Sequence, residues 1–119
     1  MLFVDVLEHL KSPQPVLARF KSVLAPGGRI FVSLPNVAHF TMRLALLCGR
    51  FDYRPSGILD RTHLRFFTYK TGRRLIEDAG YRVLRTTFGS SRFGAFLKVM
   101  PFLGNWLGYN LVYFANPPL

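Results

Sequence analysis

The 119 residues allow at most one domain. Half of them are hydrophobic and 15% aromatic, enough apolar material for a packed core, which excludes a disordered chain. The formal net charge of +10 leaves open an anionic partner such as nucleic acid or simply a basic surface; the arginines are scattered, with no block of five or six like charges, so the basic surface is adopted.

The chain opens on Leu2-Phe3-Val4, an apolar run that reads as the end of a buried strand. It has no positive leader and no small-residue cleavage site, so no secretory signal is expected. Asp5 to Leu10 then reads as a strand-to-helix loop. Ser12 is placed to cap a helix whose first turn holds Pro13 and Pro15, where a missing N–H costs nothing. Val16, Leu17, Phe20, Val23 and Leu24 recur at helical spacing and predict its buried face. Pro26-Gly27-Gly28 turns the chain into a strand, Arg29 to Leu34, whose continuous apolar character fits burial on both faces of a parallel sheet. Strand, helix and strand with short connections predict a right-handed βαβ crossover.

A second helix is expected from His39 to Cys48, with Phe40, Leu44 and Leu47 on its inner side and Gly49 at its end. Cys48 is the single cysteine. It forms no internal disulfide, suits a reducing cytoplasmic compartment, and in its apolar run reads as a small buried hydrophobe. Phe51 to Thr68 is loop-like and long, the length range of lids and binding segments. Thr71 is taken as the cap of a third helix that buries Leu75, Ile76 and Ala79 and stops at Gly80. Tyr81 to Phe88 reads as a strand, Arg92 to Val99 as a short helix and Asn110 to Ala115 as the last strand, antiparallel to the one before it. The uncharged stretch from Val99 to Leu119 is long enough to span a bilayer. Pro101, Gly104, Gly108 and the Pro117-Pro118 pair interrupt it, and no membrane span is expected.

Three segments stand out together: Asp5-Val6-Leu7-Glu8-His9-Leu10; Leu24-Ala25-Pro26-Gly27-Gly28 running on to Ser33-Leu34-Pro35-Asn36; and Leu59-Asp60-Arg61-Thr62-His63-Leu64-Arg65-Phe66-Phe67-Thr68. In this order and spacing the chain resembles the C-terminal half of class I S-adenosylmethionine-dependent methyltransferases, and is similar to a bacterial subgroup acting on small molecules. The resemblance implies an α/β Rossmann-like sheet of seven strands whose last strand runs antiparallel between its neighbours. This chain would supply the end of the fourth strand and then the fifth, sixth and seventh. It also implies S-adenosylmethionine as cofactor. The glycine-rich turn after the family's first strand and the acidic residue after its second have no counterpart here; Gly27-Gly28 follows a helix instead of opening one. Residues 1–119 are therefore expected to be a partial domain that lacks the glycine-rich half, binds the cofactor poorly and is inactive alone.

In open α/β sheets the reacting centre lies at the carboxyl ends of the strands, which selects the candidate residues. By the resemblance, Asp5, Glu8 and His9 line the cofactor side; Glu8 is equally well placed to favour a helix N-terminus. Asn36 and His39 follow the second strand and are substrate-binding candidates, with an Asx-turn as the other reading of Asn36 and a structural role as the other reading of His39. In the long loop His63 suits a general base, Asp60 its orienting carboxylate, and Arg65 an anionic substrate group. The alternative is that Asp60 pairs with Arg61 or Arg65 to pin the loop over His63. No His/Cys cluster has metal-ligand spacing, so no metal site is expected. Besides methyl transfer to an oxygen or nitrogen of a small molecule, two functions stay open: a degenerate module that associates through an exposed sheet edge, and a basic nucleic-acid binder.

Overall fold

The computed structural model describes residues 1–89 and 103–118. The helix expected over residues 92–99 lies outside them. Strand β1, Leu2–Val4, runs parallel to β2, Ile30–Pro35, with Leu2 opposite Phe31 and Val4 opposite Ser33. Between them lie a 3-10 turn at Leu7–His9 and helix α1, Pro13–Phe20. The crossover turns back through Ala25-Pro26-Gly27-Gly28. The Gly28 amide donates to the Ala25 carbonyl, Pro26 supplies the fixed φ, and Gly27 sits at φ +73°, the combination a type II turn requires.

Ser12 precedes α1 but its side chain makes no capping bond. The buried stripe of α1 is also narrower than expected: Leu17 is fully buried, whereas Phe20 and Val23 are exposed. The α-helix ends at Phe20 and continues as a 3-10 turn over Lys21–Val23. Its tighter winding carries Val23 off the inner face.

Helix α2 is Phe40–Leu47. It buries Met42 against Ile58 and Leu59 of the long loop and turns the expected inner residues Leu44 and Leu47 outward, Leu47 to 84% exposure. Cys48 is likewise exposed, not buried. The helix packs on a loop instead of on the sheet, so only one narrow side is covered. Helix α3, Tyr69–Asp78, starts earlier than expected because Thr68 is its cap. Thr68 and Thr71 form a reciprocal capping box, with each side-chain oxygen accepting from the other residue's amide. Gly80, at φ +89°, follows the helix end as expected.

Strand β3, Arg82–Gly89, and strand β4, Asn110–Asn116, complete the sheet, with a single helical turn, α4, at Gly104–Leu107. The order is β1-β2-β4-β3, and β4 is antiparallel to both neighbours. The other three strands thus point the same way. This is the inserted antiparallel last strand that the resemblance implies, in a mixed α/β fold of the Rossmann-like methyltransferase type. Phe3, Leu17, Ile30, Val32, Leu34, Ile76 and Tyr113 form the core. Two phenols tie helices to the sheet: Tyr81 Oη donates to the Leu17 carbonyl at 2.8 Å and Tyr113 Oη to the Tyr69 carbonyl at 2.7 Å. Among the described residues no helix is long and apolar enough to cross a membrane.

Candidate active site

The three parallel strands deliver their carboxyl ends to one edge of the sheet, and Asp5 follows β1 there. Its φ of 50° is left-handed, a conformation aspartate tolerates better than most residues. Its amide still reaches the Ser33 carbonyl, while its side chain is exposed. The 3-10 turn that follows places Glu8 and His9 next to each other. In a strand, neighbouring side chains would point to opposite faces; in the turn both imidazole and carboxylate swing to the same side.

The long loop is fastened onto this turn. The Leu64 and Arg65 amides both donate to the Glu8 carbonyl, at 2.8 and 3.0 Å. Arg65 closes the clamp with Nε and one terminal nitrogen on the Lys11 carbonyl. Two of its guanidinium nitrogens are thus bonded within this clamp. Asp60, expected to orient His63, points elsewhere: one carboxylate oxygen accepts from the Thr62 amide at 2.8 Å and the Thr62 hydroxyl at 2.6 Å. These bonds hold its pKa below the usual carboxylate range. The expected ion pair between Asp60 and Arg61 or Arg65 is not among the salt bridges of the described residues.

The carboxylate facing His63 is Glu8. His63 Nε2 lies 3.8 Å from Glu8 Oε1, and His9 Nε2 is also 3.8 Å from that oxygen. The other ring nitrogens are turned to backbone carbonyls: His63 Nδ1 meets the Ile58 oxygen at 2.9 Å and His9 Nδ1 the Thr62 oxygen at 3.2 Å. The two rings meet edge to face with centroids 4.8 Å apart. Glu8 is 1% exposed, and neither of its side-chain oxygens has a hydrogen-bond partner among the described residues. Burial raises its pKa, and the neighbouring charge of Asp5 adds to that; its own amide and the two imidazoles pull it part of the way back. Glu8, His9 and His63 form a group of three ligand-type side chains whose donor atoms all lie within 4.8 Å of one another. Spacing along the sequence gives no sign of this group, because Glu8 and His9 come from a segment more than fifty residues from His63. The adjacent Glu8-His9 pair was the only local signal.

Asn36 and His39 stand apart from this group. Asn36 is fully buried. Its Nδ2 donates to the Asn105 and Gly108 carbonyls at 3.2 and 2.9 Å, and its Oδ1 accepts from the Ala38 amide at 3.0 Å. The Asx-turn reading is the one the geometry matches, and both amide hydrogens are engaged inside the protein. His39 caps α2: its Nδ1 lies 2.7 Å from the Thr41 hydroxyl and accepts from the Thr41 amide at 3.4 Å. Burial lowers its pKa, partly offset by the Leu107 backbone. A lowered value means the unfolded chain takes up the proton more readily. The stability held by neutral His39 is thus present at and above pH ~6.5 and lost as the pH falls through its folded value. His39→Asn keeps a capping oxygen without titrating, and urea midpoints at pH 7.5 and 5.5 should show a smaller acid loss than in the parent.

A separate cleft of about 660 Å³ opens beside α2, lined among others by Met42, Cys48, Arg50, Arg54, Ile58 and Tyr109. Ile58 links it to His63 through the carbonyl described above. Glu8, His9 and His63 themselves do not line it.

The one Gly-Gly pair among the described residues is not a cofactor cradle. The Gly27-Gly28 turn lies between α1 and β2, at the opposite end of β2 from the site, and a Cβ on Gly28 would meet the Ala25 carbonyl oxygen at 2.7 Å. Its glycines serve a tight turn and not the approach of a ligand.

A family model described as a methyltransferase domain matches residues 1–86. No curated protein matches the sequence significantly. Among solved structures, the chain is similar to the small RNA methyltransferase HEN1, with a TM-score of 0.64 at 14% identity, over 99% of this chain and 13% of that one. It is similar to a SAM-dependent methyltransferase from Archaeoglobus fulgidus, with a TM-score of 0.60 at 14% identity, over 96% and 57% of the two chains. A third likeness is to the Haloferax volcanii complex of a methyltransferase with the Trm112 methyltransferase activator, with a TM-score of 0.54 at 13% identity, over 99% and 53%. The chain thus spans between about an eighth and three fifths of the length of these structures.

Proposed function

Because the chain belongs to the methyltransferase domain family, we propose that it serves S-adenosylmethionine-dependent methyl transfer to an oxygen or nitrogen of a small molecule, and that it supplies the acceptor side of that reaction. The observation that carries the reading is the family match over residues 1–86. The order β1-β2-β4-β3, with its antiparallel last strand, supports it. S-adenosylmethionine would bring the methyl group. The residues here would hold the acceptor at the carboxyl ends of the strands, against Glu8, His9 and His63, where its proton can be taken as the methyl arrives.

The described residues contain no glycine-rich turn from a strand into a helix, so the isolated chain is expected to bind S-adenosylmethionine only weakly. Titration calorimetry should detect no micromolar binding, and micromolar binding by a monomer would overturn this part of the reading. The catalytic part needs these residues behind a glycine-rich half. Such a protein should pass labelled methyl to a hydroxyl or amine acceptor, and His63→Asn should slow transfer by about a hundredfold. Unchanged turnover would remove the cluster from the reaction. A second reading, association through the sheet edge, is favoured by β1: it has one strand neighbour among the described residues, and Leu2 and Val4 are exposed. Solution mass above that of one chain supports it, and a stable monomer sets it aside.

A further inference from the structure

We propose that Glu8, His9 and His63 bind a divalent first-row transition ion of the zinc, cobalt or manganese class, leaving open positions on the ion for an acceptor oxygen. The argument starts from what each side chain has already spent. Both histidines turn Nδ1 to a backbone carbonyl, His63 to Ile58 and His9 to Thr62. A carbonyl accepts only, so in the neutral imidazole Nδ1 carries the proton and Nε2 presents a lone pair. This is the arrangement by which proteins fix an imidazole as a metal ligand. Both lone pairs face Glu8 Oε1, at 3.8 Å each.

Three electron-rich atoms thus converge, and the carboxylate among them is buried without a hydrogen-bond partner. A buried carboxylate in native proteins is paired, bonded or bound to a metal. Neither imidazole reaches hydrogen-bonding distance of it, so a cation between the three answers all of their unmet lone pairs at once. The spacing fits: an ion with ~2.1 Å bonds sets its tetrahedral ligands ~3.4 Å apart. The two imidazoles stand 3.8 Å from the carboxylate oxygen, and no two of the donor atoms are more than 4.8 Å apart, so the three need to draw together by about an ångström. Two imidazoles and one carboxylate favour transition ions over magnesium or calcium, which prefer all-oxygen sets. Three protein ligands leave a position for water or substrate, as in catalytic and unlike structural sites. His9 is the solvent-facing member, with its side chain 37% exposed, and marks the side from which the ion and an acceptor would enter. The loop bonds described above, from Leu64 and Arg65 to the Glu8 carbonyl, hold the His63 segment against the Glu8–His9 turn.

On the ion, an acceptor hydroxyl would lose its proton near neutral pH, which favours an oxygen acceptor. That clause rests on the methyl-transfer reading; the binding of the ion does not, and the experiment keeps the two apart.

Cobalt(II) alone, titrated into the purified chain, is the probe. One equivalent should bind with visible d–d absorption, and zinc should displace it. Glu8→Gln and His63→Asn should each weaken cobalt binding by at least about tenfold. Glu8→Gln guards against misfolding as the cause: it removes an unpartnered buried charge, so the metal-free variant should unfold at a higher temperature than the parent. Binding of the same strength in Glu8→Gln, His9→Asn and His63→Asn, or none in the parent, would overturn the site. A site that binds cobalt in a protein whose methyl transfer to oxygen ignores chelators would stand as a metal site and overturn the activation step alone.

Discussion

Asn36→Asp should cost about 3 kcal/mol of stability at pH 7, the scale of an uncompensated buried charge. The substitution changes one atom, and the cost comes from where that atom points. Nδ2 donates to the carbonyls of Asn105 and Gly108, while Oδ1 already has the Ala38 amide, so the network fixes the orientation of the amide. An aspartate would set an oxygen 2.9 and 3.2 Å from two carbonyl oxygens in a fully buried position. Its proton would be held more tightly in the folded protein than in the unfolded chain. Below the unfolded value, near ~3.9, both states are protonated and most of the penalty is absent; it grows as the pH rises through the raised folded value. Denaturant midpoints at pH 4 and pH 7 check it: the gap between variant and parent should widen with pH. A constant gap would mean that the site admits water. The same measurement separates a structural from a substrate-binding role, since a ligand-contacting asparagine would leave stability nearly untouched.

Gly72→Ala should destabilise the protein by about 1–3 kcal/mol, although alanine is the better helix former by about 1 kcal/mol. Gly72 lies inside α3, and a Cβ there would stand 2.7 Å from Tyr113 Oη and 3.1 Å from two ring atoms. Tyr113 cannot withdraw easily. It is fully buried on β4, between β2 and β3, and its hydroxyl donates to the Tyr69 carbonyl in the first turn of the same helix. The helix must lift or the ring must leave its rotamer. Pairing the substitution with Tyr113→Phe removes the nearest atom but leaves the 3.1 Å contacts, so the double variant should recover part of the loss beyond simple additivity. A Gly72→Ala protein as stable as the parent would show that α3 sits looser on the sheet than this contact implies.

Much of the fold was legible in local pattern. Leu2–Val4, the β-rich run before Pro35 and the Leu-Val-Tyr-Phe run of β4 announce strands through composition and burial. Prolines and glycines punctuate them at places where φ is restricted or left-handed. The misplaced features share one cause. Leu44, Leu47 and Cys48 have helical periodicity, but periodicity states that a helix has two sides and not which side is covered. Packing of α2 on Ile58 and Leu59 chose the Met42 side. Thr71 and Thr68 are both good caps, and which one begins the helix was settled by a reciprocal pair of bonds between them.

The candidate site shows the same division. The family, the order of the strands and the identity of most polar residues near their carboxyl ends were legible along the chain, because those properties reside in short segments read in register. How these residues pair was set by the packing of distant segments. The fold gave Asp60 to Thr62, Arg65 to Lys11 and Asn36 to the carbonyls before β4, and it brought Glu8 and His9 against His63. A side chain's partner depends on loop closure over tens of residues. The amides of Leu64 and Arg65, bonded to the Glu8 carbonyl, hold that closure, and backbone amides carry no signature in the sequence.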